Sequence, residues 1–420
     1  MKDTNATDFY TGSPVDADDL RFREAFLDEL WETLATKHAL LTAPRRTGKT
    51  SVMDHLKHCP RNGFSVVSLN VQDLSHPADF FQTIFDTFLD HHPNYFRDRI
   101  AAGWGLVTGA LGKIAEVGAG GFKIALRESD PNWRDNWRQH GTQFLQQIRG
   151  HDQRVLLVID ELPDMLLNLR REEEGEKLLR EFLAWWRSQR QKPHPKKDVV
   201  RWLIGGSVNL AGTLDSLGMV DHINDLEDVA LPPLTEAHVI EFVHEMLIAR
   251  DVKFDGSLPT RMLERLGRPI PLFMQMATQE LYRRWKRRPD GGDTVNPPLT
   301  AEDVDLVFDD LVKSSAAQDK LQHYYSRIAR YYTEPRLSAA YELLNKISLT
   351  PDGLSRDVLF QEFDRVIQQA GLKLPDHQRK REFNGMLRDL ENDFYVAEIA
   401  ENQYDFASGV LKSWWKKYYA

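Results

Sequence analysis

Short apolar runs and longer stretches of helical spacing take turns along the first half of the chain. An apolar run ends at Leu41, and Gly63 to Asn70 is a β-branched segment that follows a turn. Val155 to Glu161 reads VLLVIDE, five apolar residues ending in two carboxylates, and Val199 to Gly205 is a further apolar run. Runs of this length without alternation suit strands buried on both faces. Between them, Phe22, Phe26, Leu27, Leu30 and Leu34 have helical spacing, as do the residues from Val52 onward, Pro77 to His91, and Glu172 to Arg190. Strand and helix in alternation predict a parallel sheet.

The pattern changes at Leu231-Pro232-Pro233-Leu234-Thr235. Thr235 is placed to cap a helix, and Ile240, Phe242, Val243, Met246 and Leu247 continue it. No further strand is expected until near the C-terminus, so a helical lid is predicted after the sheet. Leu266-Gly267-Arg268-Pro269-Ile270-Pro271 reads as a tight turn opening a helix. After Pro297 to Thr300, helices are expected around 301–332, 338–347, 355–370 and 377–391. A hairpin follows, turned at Glu401-Asn402, and then a last helix carrying Trp414 and Trp415. Three helices plus a hairpin form a winged-helix arrangement. The predicted domains are therefore 1–230, 231–296 and 297–420.

Candidate chemistry concentrates at Leu40 to Ser51, LLTAPRRTGKTS. This is strand, loop, helix with the spacing G-x-x-x-x-G-K-S/T, Ala43 standing in place of the first glycine. Ala43, Pro44, Arg45, Arg46, Thr47 and Gly48 form the loop, whose N–H groups at a helix N-terminus suit phosphate oxygens. Lys49 offers a compact cation to the phosphates, Thr50 a hard oxygen to magnesium, and Ser51 closes the motif. Asp160 and Glu161, at the end of their strand, complete a second motif: Asp160 for magnesium and Glu161 as general base toward water. The alternative is an ordinary strand followed by a helix N-terminus that favours acids. Ser207, with Asn209 behind it, stands at the tip of the Val199–Gly205 strand, placed to meet a γ-phosphate or the attacking water. Arg268 and Pro271 are the lid-side candidates, and Arg187, Arg190, Arg201 and Arg268 all remain open as an arginine finger.

Composition narrows the picture. The chain has 420 residues, 41% hydrophobic and 28% charged, as in ordinary globular proteins of two or three domains. A net charge of −9 argues against a uniformly basic coat for nucleic acid. The basic run Arg283 to Arg288 suits a helix C-terminus, with DNA or an acidic partner as the sharper alternative. One cysteine, Cys59, excludes a disulfide framework and any cysteine metal cluster. The glycine-rich stretch Gly103 to Glu128 reads as an insertion packing on the core or on a neighbouring subunit, a lipid-facing role being the alternative. Its apolar part is too short to span a bilayer, so no membrane and a cytoplasmic location are expected.

Taken together, TGSPV, APRRTGKTS, VLLVIDELP, GGS, LPPLT, GRPIPLFMQ and the closing YDFASGVLKSWWKKY resemble the archaeal-type ATPases of the AAA+/STAND group of P-loop NTPases. That family has bacterial members and is related to the Orc/Cdc6 initiators. The resemblance covers nearly the whole chain. It implies an α/β fold: a P-loop NTPase parallel-sheet core with a helical lid and a C-terminal winged-helix domain. It also implies ATP and Mg2+ as ligands, with Lys49 and Thr50 on phosphate and magnesium and Asp160 with Glu161 as the acidic pair. Departures are Ala43, Phe22 where the family's G-R-E has glycine, and the prolines Pro269 and Pro271. Three functions stay open: a slow ATPase switch, a DNA-binding initiator-like module, and a non-hydrolysing scaffold. Protein, DNA and a further copy of the chain all remain candidate partners.

Overall fold

A computed structural model describes residues 8–44, 46–92, 131–149, 153–192, 200–206, 210, 214, 217–288 and 297–420. Arg45, the Gly103 to Glu128 stretch, Ser207 and Asn209 lie outside the described residues. The chain divides into two compact units. One is a sheet unit, Asp16–Thr42 with Lys49–Leu231; the other is a helical unit, Met1–Val15 with Ala43–Gly48 and Pro232–Ala420.

The sheet unit holds five parallel strands: β1 (His38–Thr42), β2 (Phe64–Asn70), β3 (Arg154–Asp160), β4 (Val200–Gly205) and β5 (Leu226–Ala230). Their order is β2-β3-β4-β1-β5. The apolar strand β3 is buried from Val155 through Asp160, as a strand flanked on both edges requires. The helices are α1 (Glu24–Thr36), α2 (Lys49–His58), α3 (Pro77–His91), α4 (Trp137–Arg149), α5 (Leu162–Arg170) and α6 (Gly175–Arg190). Helix α3 has proline at its first turn, where the missing N–H costs nothing, and buries Phe80, Phe81, Ile84, Phe85 and Phe88. Trp137 and Phe144 of α4 close on that stripe, with the Phe81 and Trp137 rings stacked at 6.0 Å.

Several features of the sheet unit differ from the sequence reading. Helix α1 begins at Glu24, not Phe22, because Phe22 sits at φ +61°, outside helical space. Helices α4 and α5 were not anticipated. Nor was β5, whose sequence LEDVA carries too little apolar character to register as a strand. As an edge strand it needs only β1: Leu41 pairs with Val229, and the Thr42 hydroxyl donates to Asp228 at 2.7 Å.

In the helical unit, α7 (Glu236–Ile248), α8 (Leu258–Leu266), α9 (Pro271–Lys286) and α10 (Ala301–Leu311) pack on one another. Thr235 caps α7 as expected: its hydroxyl accepts from the His238 N–H, and the His238 ring accepts from the Thr235 N–H, both at 3.2 Å. Helices α11 (Ser315–Tyr331) and α12 (Arg336–Leu349) lead to strand β6 (Leu354–Ser355), then α13 (Arg356–Gln369) and α14 (Asp376–Asn392). The hairpin β7 (Val396–Ala400) and β8 (Gln403–Phe406) and the helix α15 (Gly409–Tyr418) follow. The small sheet β6-β8-β7 with these helices is the winged-helix fold. The two-residue strand β6 was missed because it is only the N-terminal lead of α13. Trp414 and Trp415 are core residues, and the Trp415 indole donates to Asn345 at 2.8 Å. Among the described residues no helix is long and apolar enough to cross a membrane.

Candidate phosphate and magnesium site

The sheet order sets the geometry. Strand β4 separates β1, which leads into the loop, from β3, which ends in the acids. In register, Leu41 of β1 faces Gly205 of β4, and Ile204 of β4 faces Ile159 of β3. The C-terminal ends of the three strands therefore lie side by side, the edge where open α/β sheets bind ligands.

At that edge the Thr50 hydroxyl donates to the Asp160 carboxylate at 2.9 Å, and the other Asp160 oxygen accepts from the Glu161 N–H at 3.0 Å. Lys49 is the first residue of α2 and is buried, its ammonium donating to the Gly206 carbonyl. Burial and the Glu161 charge hold the Asp160 carboxyl above its ordinary range, against the pull of Lys49, Thr50 and the Glu161 N–H. Glu161 itself sits at φ +59°, a left-handed conformation for a residue with a side chain, and precedes α5. Ser51 is buried on the same turn of α2.

The tip of β4 leaves no room for a side chain. A Cβ on Gly205 would lie 2.1 Å from the Met53 methyl and 3.3 Å from an Asp160 oxygen, and one on Gly206 would lie 2.4 Å from the Pro163 ring. Two adjacent glycines let β4 end between the lysine and the acids, and sequence reading had not assigned them that role. The signal was present as Gly205-Gly206 at the end of an apolar strand.

In the loop, the Thr47 hydroxyl donates to the Pro44 carbonyl at 2.7 Å. Gly48 has φ +95° and open space where a Cβ would stand, so the glycine is required by its backbone angle. Arg46 has φ +66° despite its side chain. Ala43 is not among the residues at positive φ, so a side chain there strains nothing.

The residues present fit both groups that the sequence implies. Magnesium favours one or two carboxylates completed by waters and phosphate oxygens, and the paired Thr50 and Asp160 oxygens match that demand. No group of three acidic, histidine or cysteine side chains that would suit an all-protein cage occurs among the described residues. For phosphate there is a buried lysine at a helix N-terminus, preceded by a loop with two left-handed residues.

The remaining candidates are placed as follows. The Arg268 N–H donates to the Ala407 carbonyl at 3.0 Å, and Pro271 opens α9. Arg190 is fully buried, bonded to Asp225 at 2.7 and 2.8 Å with its guanidinium 3.8 Å over Trp186, which makes it a core residue. Arg187 bonds Asp221 and Asn224, both at 3.2 Å. Cys59 follows the end of α2, partly buried and outside any disulfide.

No family model matches this chain, and no curated protein matches it in sequence. Among solved structures it is similar to a Walker-type ATPase of Pyrococcus abyssi, at 16% identity over 96% of this chain and 98% of that one, with a TM-score of 0.56. It is also similar to the Aeropyrum pernix ORC2 protein, solved as ADPNP–ADP complexes, at 12% identity over 99% and 96% of the two chains, with a TM-score of 0.52. At these identities the likeness establishes a shared fold.

Proposed function

We propose that the chain is an ATP-binding and ATP-hydrolysing P-loop ATPase of the AAA+/STAND group, working in the cytoplasm as a nucleotide-dependent switch. The observation that carries this reading is the 2.9 Å bond between Thr50 and Asp160 beside the buried Lys49. It joins the two sequence motifs across β4. The shared fold with a Walker-type ATPase, and with a protein solved in nucleotide complexes, supports it.

In this reading Lys49 and the loop N–H groups hold the phosphates. Thr50 and Asp160 hold magnesium, which when bound neutralises phosphate charge as the terminal phosphoryl group leaves. Glu161 orients a water molecule and accepts its proton as the oxygen attacks phosphorus. Ser207 and Arg268 are proposed as contacts for the γ-phosphate, and Pro271 as a lid-side contact to the nucleotide. The lid, 231–296, and the winged-helix domain, 297–420, pass the nucleotide state to a partner, which requires ATP and ADP to favour different arrangements.

For that partner, the winged helix favours protein over DNA. Arg379 of α14 is committed to Asp364 and Asp376, and the wing carries Glu398 and Glu401 beside Ile399, which is 54% exposed. Phosphates would lose Arg379 as a partner and would meet the negative charge of the wing.

Lys49→Ala is expected to weaken ATP–magnesium binding at least about 30-fold, the scale of one charge-assisted contact to phosphate at a buried site. Titration calorimetry on the full chain measures it. Wild-type protein with no affinity for ATP would remove the whole reading, and an unchanged variant would remove Lys49 from it.

A further inference from the structure

Helix α5 starts directly after Glu161, so the place where its first turn rests decides where Glu161 stands. The Glu161 carbonyl accepts from the N–H groups of Asp164 at 3.1 Å and Met165 at 3.3 Å. The Glu161 N–H donates to the Asp160 carboxylate at 3.0 Å. Between these two anchors the backbone is left-handed, φ +59°, and turns the chain from β3 into α5.

Pro163 is the second residue of α5, where a missing N–H leaves no helix bond unmade. It is buried, and its ring rests on the tip of β4. Ring atoms Cδ and Cγ fill the space that a side chain on Gly206 would need, at 2.4 and 2.6 Å from a Cβ built there. Farther along α5 the Asn168 side chain donates to the Gln72 carbonyl, just past the end of β2, at 2.8 Å. Helix α5 is thus held at its start against β4 and farther on to the segment after β2. The proline ring has no side-chain rotamers to exchange, so its seat on a bare glycine admits little play.

We propose that Pro163, seated on Gly206, is a positioning residue for Glu161. It fixes the first turn of α5 against the tip of β4 and so sets where the Glu161 carboxylate meets the attacking water. It acts through Glu161 and not by contact with the nucleotide. The inference rests on the reading of Glu161 as general base. A misplacement on the order of 1 Å is enough to slow a reaction whose ligands still bind.

The test measures single-turnover phosphate release and ATP affinity on the full chain. The proteins are wild type, Pro163→Ala, Gly206→Ala, the double variant of the two, Glu161→Gln, and Pro163→Ala combined with Glu161→Gln. Pro163→Ala is expected to slow release about tenfold with ATP affinity within about threefold of wild type. In the double variant the methyl added at position 206 takes the space the ring has left, and release should return to within about threefold of wild type. On top of Glu161→Gln, Pro163→Ala should add less than about twofold, because no base remains to be misplaced. Wild-type release by Pro163→Ala, no recovery in the double variant, or an undiminished loss on top of Glu161→Gln each overturns the inference and leaves Glu161 as the base. The comparison of the double variant with Pro163→Ala decides even where Gly206→Ala alone does not fold. A Pro163→Ala protein that does not fold also overturns it, since the proline then supports the whole sheet unit. Equal release by wild type and Glu161→Gln takes the general-base reading and this inference down together.

Discussion

Glu161→Gln is expected to lower phosphate release from ATP by about 100-fold or more while leaving ATP affinity within about threefold, the range associated with loss of a positioned general base. That corresponds to about 3 kcal/mol or more of transition-state stabilisation. The argument rests on position. Glu161 follows directly on Asp160, whose carboxylate is already committed to the Thr50 hydroxyl and the Glu161 N–H. Of the two acids, Asp160 is thus the one tied to the helix that carries Lys49. Glu161 is only partly buried and is held at φ +59°, a conformation that turns the chain sharply between β3 and α5. Glutamine keeps the size of the side chain and the same backbone demand, so the fold should survive and only the proton acceptor is lost. Single-turnover phosphate release with saturating ATP separates the step from binding. Equal rates for wild type and variant would leave a nucleotide-holding scaffold as the better description. Asp160→Asn serves as the contrast: it should weaken binding in magnesium and have little effect in its absence, because it removes a metal-side oxygen.

What the sequence disclosed about this site followed from local pattern. The loop and the acids announce themselves because each sits where an apolar strand stops, and the strand ends are the edge where ligands gather. Helix α3 was legible to its ends, Pro77 and His91, because proline fixes the start and the aromatic stripe is unbroken. The hairpin was legible from its turn, where Asn402 takes φ +56°. The failures have equally local causes. Strand β5 is stabilised by a neighbour from the far end of the unit, not by its own apolar content, so LEDVA reads as loop. Helix α4 is mostly polar, and its few large residues, Trp137, Phe144, Leu145 and Ile148, gain meaning only against α3. Left-handed backbone at Phe22, Arg46 and Glu161 was invisible because no glycine or asparagine marks it. Two of these three residues lie in the nucleotide motifs, in keeping with the tendency of strained backbone to gather at functional sites.

Acid should destabilise the sheet unit through one residue, His38, by on the order of 3 kcal/mol between pH 7.5 and pH 4. The imidazole is buried at the start of β1. Its Nδ1 accepts from the Trp202 N–H at 3.2 Å, so Nε2 carries the proton and donates to the Arg190 carbonyl at 3.1 Å. Both nitrogens are thus satisfied in the neutral ring. A second proton would set Nδ1 against the Trp202 N–H, donor facing donor, in a place where burial comes first and the charges of Arg201 and Arg190 add to the penalty. Asp225 and the Arg190 carbonyl only partly oppose it, and the pKa is lowered from 6.5 to about 4. For a base whose folded pKa is depressed, stability is fully present above pH 6.5 and is lost as pH falls toward 4, because the unfolded chain takes up the proton first. At pH 5 about 2 kcal/mol should already be gone. His38→Asn keeps an acceptor near the Nδ1 position and cannot titrate, so it should be less stable than wild type at pH 7.5 yet nearly level with it at pH 5. Urea midpoints for both proteins at the two pH values decide the matter, and curves that fall in parallel would assign the acid sensitivity to other groups.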